Sequence, residues 1–141
     1  MATRMTETQS VATIQAPVSR VWIALQSAYD SVGIPITIVD GKQHLAGNQG
    51  FKLQRTLGKI PLSAYIDCGS NAFGRKADTY DVYLAVVTRV HATDSTTTEM
   101  ITNVDAAARP MSFSQAYTKC QSRGELEARI AGLVRAFVQR K

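Results

Sequence analysis

Two stretches of the chain carry a helical rhythm. Val18, Val21, Trp22, Leu25, Ala28, Tyr29 and Val32 recur at spacings of three and four, which gathers them into one apolar stripe. Pro17 suits the first helical position, where a missing N–H costs nothing. Gly33 supplies a left-handed stop and Pro35 prevents continuation. The pattern predicts a helix over 17–32. Leu126, Ile130, Leu133, Val134 and Phe137 form a second stripe near the end. Ser122 to Glu125 before it spells a capping box, in which two side chains satisfy orphan backbone donors. A second helix is predicted over 123–139, weakened by about 1 kcal/mol at Gly132 relative to alanine.

Elsewhere the rhythm is two. Val11 and Thr13 alternate with Ala12 and Ile14, predicting a first strand over 10–15. Ile36 to Val39 leads into Asp40-Gly41, a hairpin signal, and 44–53 is the returning strand. Gly47 and Gly50 interrupt that strand and predict a bulge or bend. Residues 62–68 read as another strand and 69–78 as a loop. The longest strand is predicted over 79–93, with Tyr80, Val82, Leu84, Val86 and Val90 on one face and Tyr83, Ala85, Val87, Arg89 and His91 on the other. Both faces are apolar near its middle, as in a central strand. Asp94-Ser95 turns the chain, and 96–106 returns with Met100, Thr102 and Val104 on one face. Residues 111–121 carry no clear period.

Strand, helix, meander, helix is an α+β order. One antiparallel sheet with both helices on one face buries both stripes. Residues 1–8 are polar and predicted to fray as a tail, and 9–141 form a single domain. No repeat or low-complexity linker is visible. No apolar run is long enough to cross a membrane as a helix, and the first residues have no apolar leader.

Charge adds a surface question. The net charge is +5 and the pI about 9.5. Basic residues concentrate over 42–76 and 109–141, and acids over 78–105. Such a surface attracts anions, but no run of adjacent basic residues interleaves with aromatics, so a nucleic-acid partner is not expected.

The two cysteines, Cys68 and Cys120, are too far apart for a CxxC metal or redox motif. Bridged, they would stabilise the fold by about 4 kcal/mol in the chain-entropy model and place the protein in an oxidising compartment, periplasmic or secreted. Reduced, they are small buried hydrophobes and allow a cytoplasmic site.

Candidate chemistry is sparse. His44 and His91 sit on predicted strands without metal-type spacing, so no metal and no cofactor is expected. Asp78 and Asp81 at a strand entrance have no further ligand set and read as a solvated turn. Cys68 has no local base, and no serine lies in a G-x-S-x-G context. No catalytic residue emerges, and no enzyme is expected. The loop Gly69-Ser70-Asn71-Ala72-Phe73-Gly74-Arg75-Lys76 is the most suggestive polar stretch, because backbone amides between glycines beside two cations suit an anion or a partner. Its candidate contact residues are Gly69, Asn71, Phe73, Gly74, Arg75 and Lys76. Trp22, Tyr29, Tyr80, Tyr83 and Phe137 either pack the core or line a pocket between the sheet and the C-terminal helix.

The element order resembles the helix-grip arrangement. The stretch Ile14-Gln15-Ala16-Pro17-Val18-Ser19-Arg20-Val21-Trp22-Ile23-Ala24-Leu25 resembles the opening of START-like (Bet v1-type) ligand-binding domains. Val21-Trp22, Ala28, Val32-Gly33-Ile34, Ile38, Asp40 and Gly47 resemble the helix–hairpin unit of BamC-type lipoprotein subunits of the outer-membrane β-barrel assembly machinery. The second resemblance implies a non-enzymatic accessory domain that meets an unknown protein partner outside the cytoplasm. The first implies the alternative, a carrier of a small apolar ligand held beneath the C-terminal helix.

Overall fold

The computed structural model describes residues 8–111 and 116–139. Strand β1 (Thr8–Ile14) leads into helix α1 (Val18–Val32), then strands β2 (Ile38–Asp40) and β3 (Leu45–Gln54). Short elements follow: β4 (Thr56–Leu57), β5 (Ile60–Pro61), a 3₁₀ turn (Leu62–Ala64), β6 (Ile66–Asp67), β7 (Ser70–Asn71), β8 (Gly74–Arg75) and helix α2 (Lys76–Thr79). The long strands β9 (Asp81–Asp94) and β10 (Thr97–Arg109), strand β11 (Thr118–Ser122) and helix α3 (Glu125–Val138) complete the chain. The class is α+β, with a seven-stranded antiparallel sheet in the order β2-β3-β9-β10-β11-β6 and β1 also paired to β10. Strand β10 serves two partners along one edge: β1 lies beside 98–104 and β11 beside 106–108.

Helices α1 and α3 pack on each other and on the sheet. Helix α1 buries Val21, Ala24, Leu25, Ala28, Tyr29 and Val32, and α3 buries Leu126, Ile130, Ala131, Val134 and Val138. Opposite them β9 presents Val82, Leu84, Val86, Thr88 and Val90, and β10 presents Thr98, Met100, Thr102, Val104, Ala106 and Ala108. Each fully buried large apolar side chain contributes about 1.5–3 kcal/mol. Three buried threonines need partners, and each has one. The Tyr29 hydroxyl meets Thr88 Oγ1 at 2.8 Å, Thr88 Oγ1 meets Thr102 Oγ1 at 3.0 Å, and Thr98 Oγ1 donates to the Ala16 carbonyl at 2.8 Å. Burial holds the Tyr29 phenol well above its ordinary pKa.

Helix α1 stops at Gly33, whose φ of 100° needs glycine. Pro17 caps the helix from outside rather than opening it. The predicted bulge in β3 is present as a register shift between Asn48 and Phe51. Gly47 lies against β9 so closely that an added Cβ would collide with the Val86 carbonyl oxygen. The β2–β3 turn runs over 41–44, held by the Asp40 carboxylate, which accepts the N–H groups of Lys42 and Gln43. His44 therefore lies in the turn, where its ring packs on Trp22.

Three expectations change. The stretch 62–68 is a 3₁₀ turn and a two-residue strand, because Asp78 accepts hydrogen bonds from both Ser63 N–H and Ser63 Oγ and folds the segment over α2. The stretch 69–78 contains a hairpin and α2. The capping box at Ser122 does not form: α3 begins after Gly124, and Ser122 Oγ donates instead to the buried Glu127 carboxylate at 2.8 Å. A carboxylate 2% exposed needs a donor more than a helix end needs a cap. The predicted tail lies outside the described residues except for Thr8, which opens β1.

Candidate functional site

Cys68 and Cys120 form a disulfide across the β6–β11 pair. It anchors the 62–80 segment, which carries few long strands of its own, to β11. Among the described residues no helix is long and apolar enough to cross a membrane, and no three of His, Cys, Asp and Glu gather as a metal-binding group.

The candidate loop is spread along this clamped segment. Gly69 and Gly74 hold positive φ, and Asn71 Oδ1 accepts the Phe73 N–H across the β7–β8 turn. Phe73 stands at the tip, 86% exposed. Lys76 lies over the Tyr80 ring, and Asn71 Nδ2 reaches the Tyr80 hydroxyl, so Tyr80 belongs to this loop. Arg75 turns instead towards a groove beside α3.

The five aromatics of the expected pocket do not come together. Tyr29 is fully buried in the core. Trp22 is half-buried against His44, and Phe137 packs on the core from α3. Tyr83 projects from the opposite face of the sheet, beside Tyr117. Asp78 and Asp81 are hydrogen-bonded by Ser63 and Gln54, and His91 pairs with Glu99 at 3.1 Å.

A cleft between the sheet and the C-terminal helix nonetheless exists, at the end of the molecule where β1 passes into α1 and α3 finishes. Its volume is about 410 Å³, and Thr13, Ile14, Gln15, Arg20, Arg135, Val138 and Gln139 line it. Ile14 and Val138 are buried and give it an apolar floor. Arg20 donates to the Val138 carbonyl at 3.4 Å and Arg135 to the Thr13 carbonyl at 3.1 Å. Each arginine is thus tethered to the opposite wall with other N–H donors left over, since a guanidinium carries five. The arrangement offers apolar contact beneath and charge-assisted hydrogen bonds at the rim. Arg20 and Arg135 were not singled out in the sequence: they are distant along the chain, and only the return of α3 to β1 joins them.

No family model matches the chain, and no curated protein matches it. Among solved structures, the chain resembles the Zhui aromatase/cyclase from Streptomyces sp. R1128, with a TM-score of 0.37 and 13% sequence identity over 93% of this chain and 85% of that one. The expectation of a domain that is no enzyme is corrected by this finding, because the similar structure belongs to an enzyme. A likeness this distant gives the present chain neither a substrate nor a catalytic residue. What stands is the helix-grip-like order of strand, helix, meander and helix around one antiparallel sheet.

Proposed function

We propose that the chain binds a small amphipathic molecule, with the apolar part on Ile14 and Val138 and an anionic group between Arg20 and Arg135. One observation carries the reading: the cleft of about 410 Å³ between β1 and the end of α3 combines a buried apolar floor with two tethered guanidiniums. Its size is within the range of ordinary small-ligand sites. The ligand enters from the end of the helix pair rather than beneath its middle, where Tyr29, Leu25 and Ile130 fill the space. The Cys68–Cys120 bridge supports action in an oxidising compartment.

Titration with 1-anilinonaphthalene-8-sulfonate, an aromatic sulfonate, tests this. Saturable fluorescence enhancement is expected, falling about tenfold in affinity in Arg135→Ala, the loss of one charge-assisted contact pair. Equal binding by the variant, or none by the parent, removes the reading.

A second reading rests on Phe73. A large apolar side chain 86% exposed at the tip of a disulfide-anchored hairpin suits contact with a protein partner. A photo-crosslinker at position 73 should then capture one defined protein in the native host. A diffuse background of adducts removes this reading.

A further inference from the structure

A second hollow lies at the other end of α3, where the clamped segment meets the helix start. It has a volume of about 430 Å³ and is lined by Ile60, Ser63, Ala64, Tyr65, Arg75, Arg123, Glu125 and Arg129. A smaller hollow of about 160 Å³ adjoins it and shares Ser63, Arg75 and Arg123. Three arginines, Arg75, Arg123 and Arg129, line the larger hollow. Among the described residues, none of the three has a hydrogen bond or ion pair to a protein group, whereas Arg20 and Arg135 are both tethered. The carboxylates facing the space are Glu125 and Asp67, and Asp67 Oδ1 already accepts the Gly69 N–H. The groove stays net positive.

Its backbone is fixed before any ligand arrives. The Arg123 N–H donates to the Tyr65 carbonyl at 2.9 Å, and the Lys76 N–H beside Arg75 donates to the Gly69 carbonyl at 2.9 Å. The Cys68–Cys120 bridge ties β11, which ends one residue before Arg123, to the segment that carries Arg75. Tyr65 and Arg129 line the same hollow; burial pushes the Tyr65 phenol above its usual pKa, and the Arg129 charge pulls part of the way back.

We propose that this groove binds a phosphoryl group. Guanidiniums present planar forks of N–H donors, and three around one space match the several oxygens of a dianionic phosphate better than a single carboxylate. A field of unpaired arginines on a fixed scaffold also needs little reorganisation on binding. Gly69 and Arg75, two of the contact residues expected from the sequence, fall at this site.

Calorimetric titration of the oxidised full chain with inorganic pyrophosphate, at physiological ionic strength, tests the proposal. Saturable binding is expected, weakened about tenfold or more in Arg123→Ala/Arg129→Ala and unchanged in Lys42→Ala/Arg89→Ala, which removes an equal charge from exposed positions outside both clefts. Should the double alanine variant fail to fold, Arg123→Lys/Arg129→Lys keeps the charge and removes the forks, and a loss of affinity is again expected. No saturable binding overturns the proposal. So does binding that the groove substitutions leave intact, or that Lys42→Ala/Arg89→Ala weakens as much as they do, which would mark a general field effect.

Discussion

The two ends of helix α3 are built on different physics. Its C-terminal half lies in the layer of α1, β1 and the long strands, where periodic apolar side chains are buried against one another. Its N-terminal end meets the 55–80 segment, which is made of two-residue strands, one short helix and one 3₁₀ turn. That segment is held by a disulfide, the Asp78–Ser63 hydrogen bonds and a few buried anchors such as Leu57, Leu62 and Ala77. The first region can lose one contact and keep its shape through many others. The second hangs on a few discrete bonds, and losing one should open it without melting the sheet.

Substitutions separate the two regimes. Tyr29→Ala should cost the most, about 3–5 kcal/mol, because it empties a fully buried site and strips a partner from Thr88. Denaturant unfolding should still show one transition, at a lower midpoint. Removing the bridge with Cys68→Ser/Cys120→Ser should cost up to about 4 kcal/mol. Hydrogen exchange should then rise first across 62–80 while α1 and β9 stay protected. Exchange rising equally everywhere would mean the regions are not separable. Asp78→Ala should cost about 1–3 kcal/mol, since it leaves Ser63, 7% exposed, without an acceptor for its N–H or hydroxyl. Its exchange signature should match that of the bridge variant.

The smallest effect concerns the β9–β10 turn. Asp94 has its pKa lowered chiefly by the Thr96 N–H that it accepts. A depressed carboxylate stabilises the fold above its unfolded pKa, and that contribution fades as the pH falls through the folded value. Acidification below about pH 4 should therefore loosen the turn amides in the parent, near the ordinary aspartate range. Asp94→Ala should show turn amides that no longer respond in that window. A parent turn insensitive to acid would contradict the assignment.

The same division governs what the sequence discloses. Helices α1 and α3 and the strands β9 and β10 are legible because burial on one face imposes a period of 3.6 or 2 on neighbouring residues. Even the β3 bulge between Asn48 and Phe51 is announced by Gly47 and Gly50, and glycine is required at 47 where β9 approaches. The clamped segment has too few residues per element for a period to emerge. Asp78 looks like a solvated turn because its partner Ser63 lies across the segment. Ser122 looks like a cap because nothing local says that Glu127 is buried and needs its hydroxyl. The two arginine clusters are hidden for a related reason: Arg20 and Arg135 meet only through the tertiary path of α3, and Arg75 meets Arg123 and Arg129 only through the segment that the disulfide anchors.

A ligand held between β1 and the end of α3 must perturb the amides that line the cleft. Two-dimensional amide NMR during titration with 1-anilinonaphthalene-8-sulfonate tests it most directly. Shifts are expected to concentrate at Thr13, Ile14, Gln15, Val138 and Gln139 and to be reduced in Arg135→Ala. Shifts absent there, and confined to the outer face of the sheet around Tyr83, would contradict it.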